Sequence, residues 1–139
     1  MNIERAIEIA VEAHKGVSDK GGNPYILHPL TVMQTLETED EKIVGVLHDV
    51  VEDTHWTFEK LADEGFSTEI IDAVRSVTKA SEDSDYLDFI QRAKSNPIGR
   101  KVKIADLKHN MDVTRIPDIS ADDLERLNKY KAALNKLVE

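Results

Sequence analysis

The chain of 139 residues contains no cysteine, which removes disulfides and every thiolate metal site. Any metal must then be held by His, Asp, Glu or Asn, and such nitrogen and oxygen donors suit Mn, Fe, Zn, Ni or Mg better than softer ions. No apolar run is long enough to span a bilayer. The N-terminal MNIERAIEIAVEAHK carries Glu4 and Glu8 where a signal peptide needs an unbroken apolar stretch, so a cytoplasmic location is expected. Positive charge is in deficit: 18 Lys and Arg against 27 Asp and Glu leave a net charge of −9. That disfavours nucleic-acid binding, which needs a basic surface. It permits a small anionic ligand wherever a metal or local Lys and Arg offset the field. Nothing alternates as a strand ladder would, no segment repeats, and no linker is long enough to divide the chain.

What remains is helical spacing. Ile3, Ala6, Ile7, Ala10, Val11 and His14 form one stripe, which Gly16 ends. The segment VSDKGGNPYILHP then reads as a loop, and Pro29 can open a second helix through Leu30, Val32, Met33 and Leu36. From about Asp40 to Val51 a third helix is apolar nearly all round, as a helix at the centre of a bundle would be. Thr57, Ser67 and Ser84 precede further helical stretches as candidate caps. Pro97 opens a helix carrying Ile98, Val102, Ala105 and His109. Ser120 with Asp123 resembles a capping box ahead of Leu124, Leu127, Tyr130, Leu134 and Leu137. The expectation is one all-α domain over residues 1–139, a bundle of about seven to eight helices.

Polar residues interrupt this core pattern in a few places. In LHDVVEDTHWT, helical spacing sets His48 over Glu52 and Asp49 over Asp53, with His48 and Asp49 about 100° apart. Buried unpaired carboxylates cost several kcal/mol per ion, and a metal ion or a basic partner would offset that. His28, in the Pro-flanked PYILHP, belongs to no amphipathic face. Asp106, in KIADLKHNMD, is a charge inside an apolar stretch, with Asn110 at i+4. His28, His48, Asp49 and Asp106 thus make a candidate set of two imidazoles and two carboxylates for a divalent first-row ion. Such an ion lowers the pKa of bound water and polarises a phosphoryl oxygen. Glu52 and Asp53 are the candidates to orient that water and handle protons. His14 is expected as a buried structural histidine, and His109, Tyr25 and Lys79 fit packing or helix-end roles as well as ligand contact.

These pieces resemble the HD superfamily of metal-dependent phosphohydrolases, and more narrowly the hydrolase domain of the RelA/SpoT alarmone enzymes and its small stand-alone relatives. The matching motifs run in order: AHKG at 13–16, GGNPYILHP at 21–29, VLHDVVEDTHWT at 46–57, SVTK at 76–79 and KIADLKHNM at 103–111. The resemblance implies an all-helical fold and hydrolysis of guanosine tetra- or pentaphosphate at the 3′-pyrophosphate, usually with Mn²⁺. By position it implies metal ligation by His28, His48, Asp49 and Asp106, and water activation by Glu52 and Asp53. It also implies nucleotide contacts from Lys20 and Asn110, and a hydrolase domain without synthetase or regulatory domains. Asp19 stands where the long alarmone hydrolases carry an arginine that packs on guanine. A carboxylate cannot stack, but it can accept hydrogen bonds from a guanine edge. Val17 replaces a usual glutamine, and Leu107 and Lys108 change the residues flanking Asp106. Another nucleotide or phosphate ester as substrate, and a non-catalytic sensor of metal and nucleotide, are the alternatives these residues admit.

Overall fold

A computed structural model describes residues 1–139. It is all helical: α1 Ile3–His14, α2 Leu27–Gln34, α3 Glu39–Leu47, α4 Val50–Asp53, α5 Phe58–Asp63, α6 Thr68–Ser76, α7 Tyr86–Lys94, α8 Pro97–Asn110, a 3-10 turn Val113–Arg115, and α9 Ala121–Val138. Ser120 and Asp123 form the expected capping box at α9, and Thr38 with Glu41 forms one at α3 that the sequence reading did not name. Thr57 and Ser67 cap α5 and α6. Pro97 sits in the first turn of α8, where its missing N–H costs nothing. At α7 the cap is Asp85 rather than Ser84. No helix is long and apolar enough to cross a membrane.

Helix α3 is the hub, packing against α1, α2, α6 and α8. Its Ile43, Val44, Val46 and Leu47 are at most 1% exposed, and each such side chain stabilises the fold by about 1.5–3 kcal/mol. Gly45 lets α2 approach: a Cβ there would lie 2.7 Å from Leu36 Cδ1. A second, smaller apolar cluster of Ile90, Leu107, Ala133 and Leu137 ties α7, α8 and α9 together. Arg92 pins the loop before α7, donating to the carbonyls of Arg75 and Thr78 and to Asp83.

Two sequence expectations are corrected. The helix expected over residues 40–51 is two helices, broken at His48–Asp49. The His48 ring Nδ1 donates to the Gly45 carbonyl at 2.6 Å. A side chain thereby takes an acceptor the helix ladder would use. Asp49 adopts φ −103°, ψ −2° at the break, and the following turn resumes with Asp53 N–H on the Asp49 carbonyl at 3.0 Å. With α3 and α4 taken as the one interrupted element, the bundle has eight α-helices, within the expected number. His28, read as a loop residue, is in the first turn of α2, and Pro29 follows it there without breaking a helical hydrogen bond.

Candidate metal centre

The four candidate ligands converge where α2, the α3–α4 break and α8 meet. Donor atoms of His28, His48 and Asp49 all lie within 4.8 Å of one another. Asp106 joins them through Oδ1, 2.8 Å from His28 Nε2 and 3.3 Å from His48 Nε2. Asp49 Oδ2 is 3.1 Å from His48 Nε2. His28, His48 and Asp106 are buried, at 3%, 1% and 4% exposure.

The tautomer of His48 is decided by its partner. A carbonyl only accepts, so Nδ1 carries the proton given to Gly45. Nε2 is buried and has no hydrogen-bond partner. In the neutral ring its lone pair faces two carboxylate oxygens, an arrangement that repels unless a cation sits among them. That orphaned nitrogen, with the nitrogen and oxygen donors around it, fits a divalent cation.

Neighbouring side chains hold these donors. Tyr25 donates its hydroxyl to Asp49 Oδ2. Lys103, nearly buried, donates to Asp106 Oδ2 at 2.9 Å, and Asn110 Nδ2 donates to Asp106 Oδ1 at 3.1 Å. His28 Nδ1 meets His109 Nδ1 at 2.7 Å. Those rings are 8° from parallel with centroids 5.0 Å apart, which with so short an N–N distance is an edge-to-edge pair sharing one proton. Arg115 donates to the His109 carbonyl at 3.1 Å.

Burial and charge act against each other here. Burial lowers the basicity of His48, but Asp49 and Asp106 outweigh it and raise its pKa well above the ordinary value. Burial would raise Asp106, but Lys103 and the histidines hold it well below the usual carboxylate range. Asp49 is lowered in the same way, mainly by His48 against burial. Glu52 and Asp53 go the other way, pushed up by burial and then by the Asp49 charge. Carboxyls so tuned suit proton transfer nearer neutrality.

The centre opens into a cleft of two lobes that share Tyr25, His28, Asn110 and Tyr130. The larger, about 470 Å³, is walled by the loop of Asp19 and Lys20 and by Arg115 and Arg126. The smaller, about 280 Å³, contains Asp49, Glu52 and Asp106. Asp53 is exposed and lies outside both. Asp19 is committed to its own loop: Oδ1 accepts the N–H groups of Gly21 and Asn23, each at 2.9 Å, and Oδ2 lies 3.4 Å from Arg115. Lys20 is 3.5 Å from Asp123. Gly21 is required because a Cβ there would stand 2.7 Å from the Arg115 carbonyl.

Sequence reasoning did not single out Lys103, Arg115 or Tyr86 for the cleft, and it left Tyr25 and His109 between packing and function. The Lys103–Asp106 spacing of i,i+3 was the available signal for one of them. His14 is buried as expected, yet its Nε2 has no partner, and its ring lies 4.9 Å from that of Tyr25.

Comparison with known proteins agrees with this architecture. The profile of the HD domain matches residues 6–130. The GTP pyrophosphokinase of Myxococcus xanthus is 36% identical over 126 residues, 78% of this chain and 16% of that protein. The guanosine-3′,5′-bis(diphosphate) 3′-pyrophosphohydrolase of Borreliella burgdorferi is 33% identical over 126 residues, 79% of this chain and 18% of that protein. The chain thus spans less than a fifth of these two relatives. A solved structure described as a metazoan ortholog of SpoT that hydrolyses ppGpp superposes with a TM-score of 0.79 at 20% identity, covering 99% of this chain and 85% of that one. At that identity the likeness establishes the fold. With nine-tenths of its length inside that profile, the chain belongs to the HD domain family.

Proposed function

We propose that this chain is a metal-dependent phosphohydrolase that removes the 3′-pyrophosphoryl group of guanosine 3′,5′-bis(diphosphate), releasing pyrophosphate. The observation that carries the reading is the buried Nε2 of His48, 3.1 Å from Asp49 Oδ2 and 3.3 Å from Asp106 Oδ1, beside His28. The Borreliella relative, a guanosine-3′,5′-bis(diphosphate) 3′-pyrophosphohydrolase 33% identical over 126 residues, supports the choice of substrate. His28, His48, Asp49 and Asp106 would hold the ion, a divalent cation by its mixed imidazole and carboxylate donors and Mn²⁺ by the family resemblance. When bound, the ion supplies Lewis acidity at phosphorus and a lowered pKa for water.

The chain's own residues do the rest. Tyr25 holds Asp49, while Lys103 and Asn110 hold Asp106. With His28 a ligand through Nε2, its proton would lie on Nδ1 and be donated to His109, 2.7 Å away. Glu52, inside the smaller lobe, accepts a proton from the attacking water; Asp53, one residue on, supports Glu52 through charge. Water oxygen bonds to phosphorus, the bond from phosphorus to the ribose 3′ oxygen breaks, and that oxygen leaves with a proton. Lys20, Asn110 and the Asp19 loop would contact the nucleotide from the larger lobe.

The test is a nucleotide panel with Mn²⁺, including guanosine tetraphosphate and its adenosine analogue, on wild type and Glu52→Ala. Pyrophosphate release from the guanosine compound, lost in the variant, supports the proposal. Turnover of a different phosphate ester alone would move the substrate assignment, and no turnover with metal bound would reject the enzyme.

A further inference from the structure

One side chain joins the loop that carries Asp19 to the metal centre. Arg115 ends the 3-10 turn after α8, with its side chain 26% exposed. Its Nη1 donates to the His109 carbonyl at 3.1 Å, and its Nη2 reaches Asp19 Oδ2 at 3.4 Å. Its backbone meets the same loop: the Arg115 carbonyl lies where a Cβ on Gly21 would come within 2.7 Å. Asp19 in turn holds the N–H groups of Gly21 and Asn23, so the loop is fastened to Arg115 as a unit. On the inner side His109 is one step from the ligand set, its Nδ1 2.7 Å from Nδ1 of His28. Asp19, Arg115, His109 and His28 thus form an unbroken path from the cavity loop to the centre.

A guanidinium suits this place because its donors stand in a rigid planar fork and can hold two acceptors at a set separation. The His109 carbonyl is in the last turn of α8, where the helix ladder supplies no further N–H. Asp112 N–H and Arg115 are its two donors. They fix the backbone of His109, and with it the distance of its ring from His28. Resting on the assignment of His28 as a metal ligand above, we infer that Arg115 is a positioning residue of the metal centre. It holds His109 against His28 and fastens both to the Asp19 loop. Asp19 belongs to the same device: its carboxylate anchors the loop, so the shape of the cavity wall and the aim of His28 are set together. Charge alone makes the opposite prediction. Arg115 is a cation near a cation site, so removing it would tighten metal binding by Coulomb's law. Removing a positioning contact weakens it.

The experiment is titration of Mn²⁺ against a competing chelator. Arg115→Met should weaken Mn²⁺ affinity about three- to tenfold, less than the loss of a ligand's direct partner because it acts one residue further out. Asp19→Asn keeps an acceptor for Gly21 and Asn23 but loses the ion pair, and should cost about twofold. In a His109→Leu background, Arg115→Met should have no further effect, because the ring through which it acts is gone. Arg126→Met removes a cation from the same lobe whose ion pair is with Asp123, and should not weaken Mn²⁺. Arg115→Lys keeps the charge without the fork and should also weaken binding; it carries the test if the Met variant does not fold, which a melt of the metal-free protein decides. The inference fails if Arg115→Met binds Mn²⁺ as tightly as wild type or tighter, if its effect persists in full without the His109 ring, or if Arg126→Met weakens binding as much. Unchanged affinity in Asp19→Asn would remove the loop from the device. His28→Ala tests ligation without touching Arg115: affinity equal to wild type there would reject the metal assignment, and the inference with it.

Discussion

Replacing His109 with Leu should weaken metal binding without unfolding the protein. The His109 ring is the partner of His28 Nδ1, at 2.7 Å. Burial and the neighbouring Arg115 charge lower its pKa below the ordinary histidine value. It is therefore neutral near pH 7.5 and able to accept. Leu fills similar space and cannot accept, so the His28 N–H is left unsatisfied inside the protein. That costs about 1–3 kcal/mol, equivalent to a roughly five- to hundredfold weaker Mn²⁺ affinity, in line with losses seen when partners of metal-ligating histidines are removed. Competitive titration against a chelator measures the affinity, and a melt of the metal-free proteins checks the fold. His109→Gln, whose amide oxygen can accept, should recover part of the loss. Equal Mn²⁺ affinity for wild type and His109→Leu would refute the linkage, as would an equal loss in the Gln variant.

Glu52→Gln should lower turnover by about 10²–10⁴-fold while manganese content, read by elemental analysis, stays at the wild-type level; loss of the metal would contradict the division of labour. Glu41 gives a pH-dependent stability. Burial opposes its ionisation, but the N–H groups of Glu37 and Thr38 and the Lys101 ammonium outweigh it and hold the carboxyl below its ordinary value. Its contribution is therefore complete above the unfolded pKa of about 4.3 and is lost as pH falls through the lower folded value. Glu41→Gln should lower the thermal midpoint by roughly 3–5 °C at pH 7, and the gap should close in acid; a gap that widens in acid would reverse the sign. Gly45→Ala drives a methyl toward Leu36 Cδ1 and should cost about 1–3 kcal/mol in denaturant unfolding. It should also weaken Mn²⁺ binding, because α2 carries His28 and His48 directly follows α3; unchanged affinity would show the two helices can part without disturbing the centre.

The helices were legible because apolar spacing and caps are local. Thr57, Ser67 and Ser120 sit where the chain must begin a helix, and the structure uses them so. The break at His48–Asp49 was not legible. It depends on a ring nitrogen competing for the Gly45 carbonyl, and an unbroken apolar pattern carries no trace of that choice. The meeting of His28, His48, Asp49 and Asp106 could be proposed because each was a polar residue against an apolar background. The groups around them could not, Lys103 with its i,i+3 spacing to Asp106 apart, since Tyr25 and Arg115 are ordinary in their local sequence. They acquire meaning only when helices distant in the chain pack together. Asp19 shows the same limit: in the sequence it is a free acceptor, while in the fold its oxygens are used by Gly21, Asn23 and Arg115.

The central claim is that four side chains gather one divalent cation beside Glu52. Anomalous diffraction from crystals grown with Mn²⁺ tests it directly. One manganese peak is expected, bounded by His28 Nε2, His48 Nε2, Asp49 and Asp106, and absent from Asp106→Ala. A peak held by other residues, or one that survives that substitution unchanged, would contradict the account.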